Sequence, residues 1–245
     1  MNKIIILGRA CRDARIRKTI VKGKDELIAT FPIMEVKPTK KENQASRRIY
    51  HCICSGKTAD YAGLHVKENS LVYVQGSMGM FNKTNTRDGS KLRVNTVPVN
   101  WLTVYGQEQR PEIGDNQEIN EEIEAGFWKI SNVAIISGIV KDPVRIMQSE
   151  DGTVWAYMLI NNVRKTVTRM ANSYNHSIRV IAFGKSAYHL YKNYCKGDSV
   201  LVYGTAHLNV YTNEDGNWQE GWEVIMEHVE KTLPIEESRG YNVQK

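Results

Sequence analysis

The chain repeats one structural phrase. Residues 56–76 read GKTADYAGLHVKENSLVYVQG and residues 184–204 read GKSAYHLYKNYCKGDSVLVYG, aligned without a gap at an offset of 128 residues. Identity at six of the 21 positions is a weak signal alone, but the flanks extend it. NKIIILG at 2–8 answers NVAIISG at 132–138, LIATFPI at 27–33 answers VWAYMLI at 154–160, and YHCICSGK at 50–57 answers IRVIAFGK at 178–185. Asp88-Gly89 answers Asp215-Gly216 in the same way. Blocks that recur in one order at similar spacing mark an internal duplication. The 245 residues then divide into two small domains, against the alternative of a single large β-sandwich.

Each copy reads as five strands with a helix between the third and the fourth. In the first copy the β-rich runs are 3–10, 27–36, 48–55, 70–80 and 92–104; in the second they are 131–140, 154–163, 177–183, 198–210 and 219–231. The helices start at Lys57 and Lys185. Ala59, Ala62 and Val66, and Ala187, Leu190 and Tyr194, recur at the three- and four-residue steps of an amphipathic helix. KGKDE, RDGS, SEDGT and NEDGN supply the turns. This element order is that of the OB-fold, a partly open Greek-key barrel. The expected architecture is all-β: two tandem OB-folds, five-stranded Greek-key barrels with one helix each, joined by an acidic linker. Residues 1–106 form the first domain, 107–126 the linker, 127–233 the second domain and 234–245 a C-terminal tail. The linker has no apolar periodicity and is expected to be flexible, with a frayed helix at most over 117–124.

Charge is divided as unevenly as the fold is divided evenly. Residues 1–106 hold 19 Lys and Arg against 8 Asp and Glu, the linker holds 1 against 7, and residues 127–233 hold 11 against 10. A basic module, an acidic joint and a near-neutral module are three different things, which the net charge of the whole chain hides. The sequence contains no P-loop, HExxH or GxSxG, and its six histidines are scattered, so no catalytic residues and no cofactor are expected. Cys52 and Cys54 share one face of a strand and have no second cysteine pair at zinc-ribbon spacing; buried free thiols are expected, not a metal site. No apolar run is long enough for a membrane span, and the apolar stretch after Met1 is too short for a secretion signal, so a soluble, cytoplasmic protein is expected.

MNKIIILGRACRDARIR resembles the opening of bacterial single-stranded DNA-binding proteins. So do HCICSGKTADYAGLHVKENSLVYVQGSM and RVIAFGKSAYHLYKNYCKGDSVLVYGTA, each a strand, Gly-Lys, a helix, a Lys/Gly-rich turn and a Val-rich strand ending in Gly. The resemblance covers both halves and is closest to the arrangement with two OB domains per chain. It implies sequence-independent binding of single-stranded DNA in replication, recombination or repair, by a homodimer holding four OB domains. It also marks departures. The family's usual stacking Trp on the third strand falls at Ile49 and Ser177, its usual Phe at Ser55 and Phe183, a third aromatic at Lys83 and Tyr211, and its interface His at Tyr50 and Ile178. The family's acidic tip closing in Pro-Phe is replaced by PIEESRGYNVQK, which puts docking of repair enzymes through that tip in doubt.

Binding a single strand needs cations that track phosphates and flat rings on which bases stack. Candidate cations in the first copy are Lys3 and Arg9 on one face of the first strand, then Arg17, and then Lys37, Lys40, Lys41, Arg47 and Arg48 in a long loop between strands two and three. The matching loop in the second copy offers Arg164, Lys165 and Arg169. Lys83 stands in the loop after strand four, near Phe81, the first copy's nearest substitute for a missing ring. Strand alternation in the second copy turns Ala156, Met158 and Ile160 inward with Ile178, Val180 and Ala182. Trp155 and Tyr157 then face outward, to stack on bases or to pack on a second subunit, and Arg179, Phe183 and Tyr211 join them as candidates. The first domain is therefore expected to contribute charge and the second to contribute rings. Two rival readings remain open at this stage: an assembly module whose second domain mainly mediates oligomerisation, and an RNA-binding protein.

Overall fold

The computed structural model describes residues 1–21, 23–38, 45–84, 91–105, 132–162, 176–212, 216 and 218–232. The chain divides into two compact units, one of Lys3–Val133 with Val210–Glu220 and one of Ala134–Asn209 with Met1–Asn2 and Gly221–Lys245. Among the described residues no helix is long and apolar enough to cross a membrane.

The first repeat runs β1 (Asn2–Ala10), β2 (Arg15–Val21), β3 (Lys24–Pro38), β4 (Ala45–Ser55), α1 (Lys57–His65), β5 (Leu71–Gly76), β6 (Gly79–Thr84) and β7 (Lys91–Tyr105). Five of these strands close into a barrel in the order β1-β3-β4-β7-β5, with β5 returning to β1. Every barrel pairing is antiparallel except β4 with β7, where Cys52 stands opposite Val97. The second repeat runs β8 (Val133–Val140), β9 (Arg145–Gln148), β10 (Val154–Asn162), β11 (His176–Phe183), α2 (Lys185–Asn193), β12 (Ser199–Thr212) and β13 (Trp218–Lys231). Its barrel is β8-β10-β11-β13-β12, with β12 returning to β8 and a parallel β11–β13 pair at Val180↔Val224. Each is an OB-fold, as the element order predicts.

Alternation decides which side chains fill each barrel. Ala156, Met158 and Ile160 face in with Ile178, Val180 and Ala182, and none of the six is more than 1% exposed. In the first barrel Ala29, Phe31 and Ile33 meet Tyr50, Cys52 and Cys54. Ala59 and Ala62 of α1 with Val66 at its C-cap, and Ala187 and Leu190 of α2 with Tyr194 at its C-cap, are buried at the predicted spacing. The repeated Gly-Lys turn has a backbone cause. Gly56 and Gly184 take φ of 59° and 56° at the strand-to-helix corner, a left-handed conformation costly for any residue with a Cβ. Gly8 and Gly138 serve close crossing instead: a Cβ on either would fall 2.7 Å from the Met34 carbonyl oxygen or 2.3 Å from that of Asn161.

The structure corrects the strand count. Two further strands, β2 and β9, pair along the outer edges of β3 and β10. In the first repeat the fourth predicted strand divides at Ser77-Met78 into β5 and β6, whereas its counterpart β12 runs unbroken. The cationic loop of the first copy is shorter than expected, because β3 continues to Pro38 and β4 begins at Ala45, with Lys37 opposite Ser46. Lys40 and Lys41, the linker 107–126 and the tail 234–245 lie outside the described residues.

Candidate nucleic-acid interface

Register places the candidate residues of the second repeat in rows. Trp155 of β10 stands opposite Phe183 of β11 on one side and Met147 of β9 on the other. The next outward row is Arg145, Tyr157 and Ile181, and the third is Leu159, Arg179 and Glu223. Residues opposite one another across neighbouring strands point to the same side, so these rows form one face. Trp155 and Tyr157 are part-exposed and stack on each other, with ring centroids 5.8 Å apart and planes at 25°. Phe183 is 49% and Met147 47% exposed. The result is an apolar shelf in which two mutually stacked, part-exposed rings are flanked by a third ring and a thioether that are open to solvent. Such a shelf presents the π-faces that unpaired bases need.

Arg179 faces outward as expected, but it is not a free cation. Its Nη1 donates to Glu223 Oε1 at 3.0 Å, and its guanidinium lies 5.3 Å from the centroid of the Tyr157 ring. Asn209 Nδ2 donates to the same Glu223 oxygen at 2.8 Å. Arg179 therefore packs on one ring of the shelf while held by a carboxylate. Tyr211 is exposed on β12 and belongs to the residues grouped with the other compact unit. Arg164, Lys165 and Arg169 lie outside the described residues.

The same register gives the first repeat a different outward face. Arg17, Ile28 and Ser55 occupy the first row, Arg15, Thr30 and Ile53 the second, Pro32 and His51 the third, and Arg9, Met34 and Ile49 the fourth. Arg15 and Arg17 are exposed, and Ile49 is 46% exposed. Arg9 is half-buried and donates to the Asn69 carbonyl at 3.1 Å. Lys3 is half-buried on β1. Arg48 departs from its expected role as a phosphate finger. It shares the inward parity of Tyr50 and Cys52, which brings its charge, with one guanidinium nitrogen buried, to the side of the Tyr50 hydroxyl. That hydroxyl donates to Glu35 Oε2 at 2.8 Å, and burial together with the Glu35 charge pushes it well above the ordinary tyrosine range. Lys37 and Arg47 lie on β3 and β4, and Phe81 and Lys83 on β6; only the backbone of these four residues is described.

Sequence reasoning missed Arg15, Arg145 and Met147, because it missed β2 and β9. The available signal was the Arg-Ile-Arg alternation at 15–17, which puts both arginines on one side of a strand. The cysteines behave as expected. Cys52 and Cys54 are buried and free, burial pushing the Cys54 thiol up to about 12, while Cys195 is exposed. Among the described residues no group of potential ligands is placed to hold a metal ion.

The model of the single-strand binding protein family matches residues 1–104 and again residues 130–232. The chain belongs to the single-strand binding protein family. It carries two copies of the family's domain, and as a member of this group it is a binding protein, not an enzyme. No curated protein matches the sequence. Among solved structures, the wild-type single-stranded DNA-binding protein from Thermus aquaticus superposes with a TM-score of 0.64 at 15% identity, covering 96% of this chain and 94% of its own. A deletion mutant of the same Thermus aquaticus protein gives a TM-score of 0.64 at 15% identity, covering 96% and 95%. Both are two-barrel chains, so the likeness extends over both repeats of this family member. At that identity the family's fold is kept while the outward rows are free to differ.

Proposed function

We propose that the protein binds and protects single-stranded DNA without reading its sequence, serving replication, recombination or repair in the cytoplasm. The observation that carries the proposal is the open shelf of Trp155, Tyr157, Phe183 and Met147 on the second barrel. A solvent-facing ring gains little from water and much from a stacked base, roughly 1–3 kcal/mol each, and every base has a π-face. The exposed Arg15 and Arg17 on the equivalent wall of the first barrel supply attraction to phosphates, and the Lys40–Lys41 pair in the adjoining segment is proposed to add to it. Each phosphate neutralised releases counterions, which gives affinity without base preference. Self-association to a dimer, with four barrels in all, completes the proposal; Trp101 and Tyr105 on β7, 62% and 47% exposed, provide apolar surface for a second copy to bury.

The test is tryptophan fluorescence of the full chain titrated with poly(dT) and, separately, with duplex DNA of equal length. The expected result is quenching by the single strand, lost in Trp155→Phe, and little response to duplex. Quenching by neither would favour the assembly reading, and equal response to a matched RNA strand would favour RNA as ligand. Sedimentation of the same samples, with and without a dT oligomer, reads the subunit number.

A further inference from the structure

The outer side of α2 carries rings and cations that the shelf does not use. Ala187 and Leu190 face the barrel and are fully buried, which fixes the rotation of the helix. Its solvent-exposed surface presents Tyr188 and Tyr191, 48% and 51% exposed, with Lys185 and Lys192 exposed as well and Lys196 in the turn that follows. No acidic residue lies in the helix, and the nearest one after it, Asp198, is held by Lys231 at 2.9 Å. Packing does not ask for these rings. The equivalent helix α1 keeps the same buried positions in Ala59 and Ala62 but places Asp60, Gly63 and Leu64 where α2 has Tyr188, Tyr191 and Lys192. On α1 the Gly63 position is covered by the Ile16 side chain of β2, whereas on α2 the ring of Tyr191 stands half in water.

The helix also starts where the shelf ends. Phe183 is the last residue of β11, the Gly184 N–H donates to the Val154 carbonyl at 2.8 Å, and Lys185 opens the helix. Tyr188 and Tyr191 follow on successive turns, roughly 4.5 Å apart along the axis. We propose that this face is a second contact for single-stranded DNA, which leaves the shelf at Phe183, passes Lys185 and packs bases against Tyr188 and Tyr191. The positive face complements a polyanion, two rings supply stacking surface, and the continuity with the Trp155–Phe183 row supplies the route. The inference rests on the shelf being the primary contact, and it extends the length of strand that the second domain covers.

The experiment uses the full chain and two dT oligonucleotides, one of about 5 nucleotides, sized to a single shelf, and one of about 30, with poly(dT) giving the occluded site size. The Tyr188→Ala/Tyr191→Ala variant is expected to bind the short oligomer as the parent does. It should bind the long one about tenfold more weakly and cover fewer nucleotides per chain. Tyr188→Phe/Tyr191→Phe keeps the rings and should restore both. Parent-like affinity and site size in the alanine variant would overturn the inference and leave the face to a protein partner. That result is distinct from failure of the shelf itself, in which the parent shows no tryptophan quenching with either oligomer and both readings fall together.

Discussion

The two barrels place different chemistry at the same positions. Where the second repeat sets Met147, Trp155 and Phe183 in one outward row, the first sets Arg17, Ile28 and Ser55; where the second sets Tyr157 and Ile181, the first sets Thr30 and Ile53. Inward, both copies keep an apolar core, broken in the first by the buried Glu35–Tyr50 pair, and the glycines at the barrel crossing and helix corner stay in place. Burial and backbone conformation constrain the inside of a barrel, so duplication preserves it. The outward rows are free of that constraint, and there one copy carries a cationic wall and the other a ring-bearing one.

The largest effect expected from breaking this asymmetry is on the ring side. Trp155→Ala/Phe183→Ala removes two stacking surfaces and should weaken binding of a dT oligomer about a hundredfold or more, measured by titration at fixed salt. Next comes a stability effect in the first barrel alone. Tyr50→Phe removes the hydroxyl that donates to buried Glu35, and should cost about 1–3 kcal/mol in denaturant unfolding. Its repeat counterpart, Ile178, is apolar and 1% exposed, so the second barrel has no matching sensitivity at that position. Transplanting the ring row sharpens the comparison from the other direction: Ile28→Trp/Ser55→Phe should raise affinity about tenfold if position on the wall, and not the rest of the second barrel, makes a stacking site.

The smallest effect near neutral pH is also confined to the first barrel. Burial holds the Cys54 thiol at about 12 in the folded protein, whereas an unfolded thiol titrates near 8.5. Between those values the unfolded chain has released a proton that the folded one retains, so stability is intact below about pH 8.5 and falls as pH rises toward 12. The slope approaches about 1.4 kcal/mol per pH unit for each such group. Cys54→Ala should flatten the alkaline limb of the unfolding curve. A thiol reagent on the native protein should find Cys195 quickly and Cys52 and Cys54 only after denaturation.

Much of the fold is legible in the sequence because its signals are local. Strands β10 and β11 alternate cleanly, and the recurring Gly-Lys corner is a backbone requirement written in residue type. Strands β2 and β9 are hidden because edge strands outside a barrel need no buried stripe: RIMQ is four residues long and RIRKTIV holds its isoleucines four apart. The site is legible in parity but not in pairing. Alternation turns Arg179 and Trp155 outward, yet nothing near Arg179 in sequence announces Glu223, 44 residues away, as its ion-pair partner. Arg48 shows the same limit, since the β3–β4 hairpin runs on into what reads as a polar loop and carries that arginine to the side of Tyr50.

The division of labour between the walls is tested most directly by the salt dependence of binding, measured in parallel for the parent, Trp155→Ala/Phe183→Ala and Arg15→Ala/Arg17→Ala. Plots of log affinity against log salt should run parallel for the parent and the ring variant, the latter displaced downward. The arginine variant should be shallower by roughly 0.7 for each phosphate it no longer neutralises. Equal slopes in all three, or a slope change in the ring variant, would contradict the account.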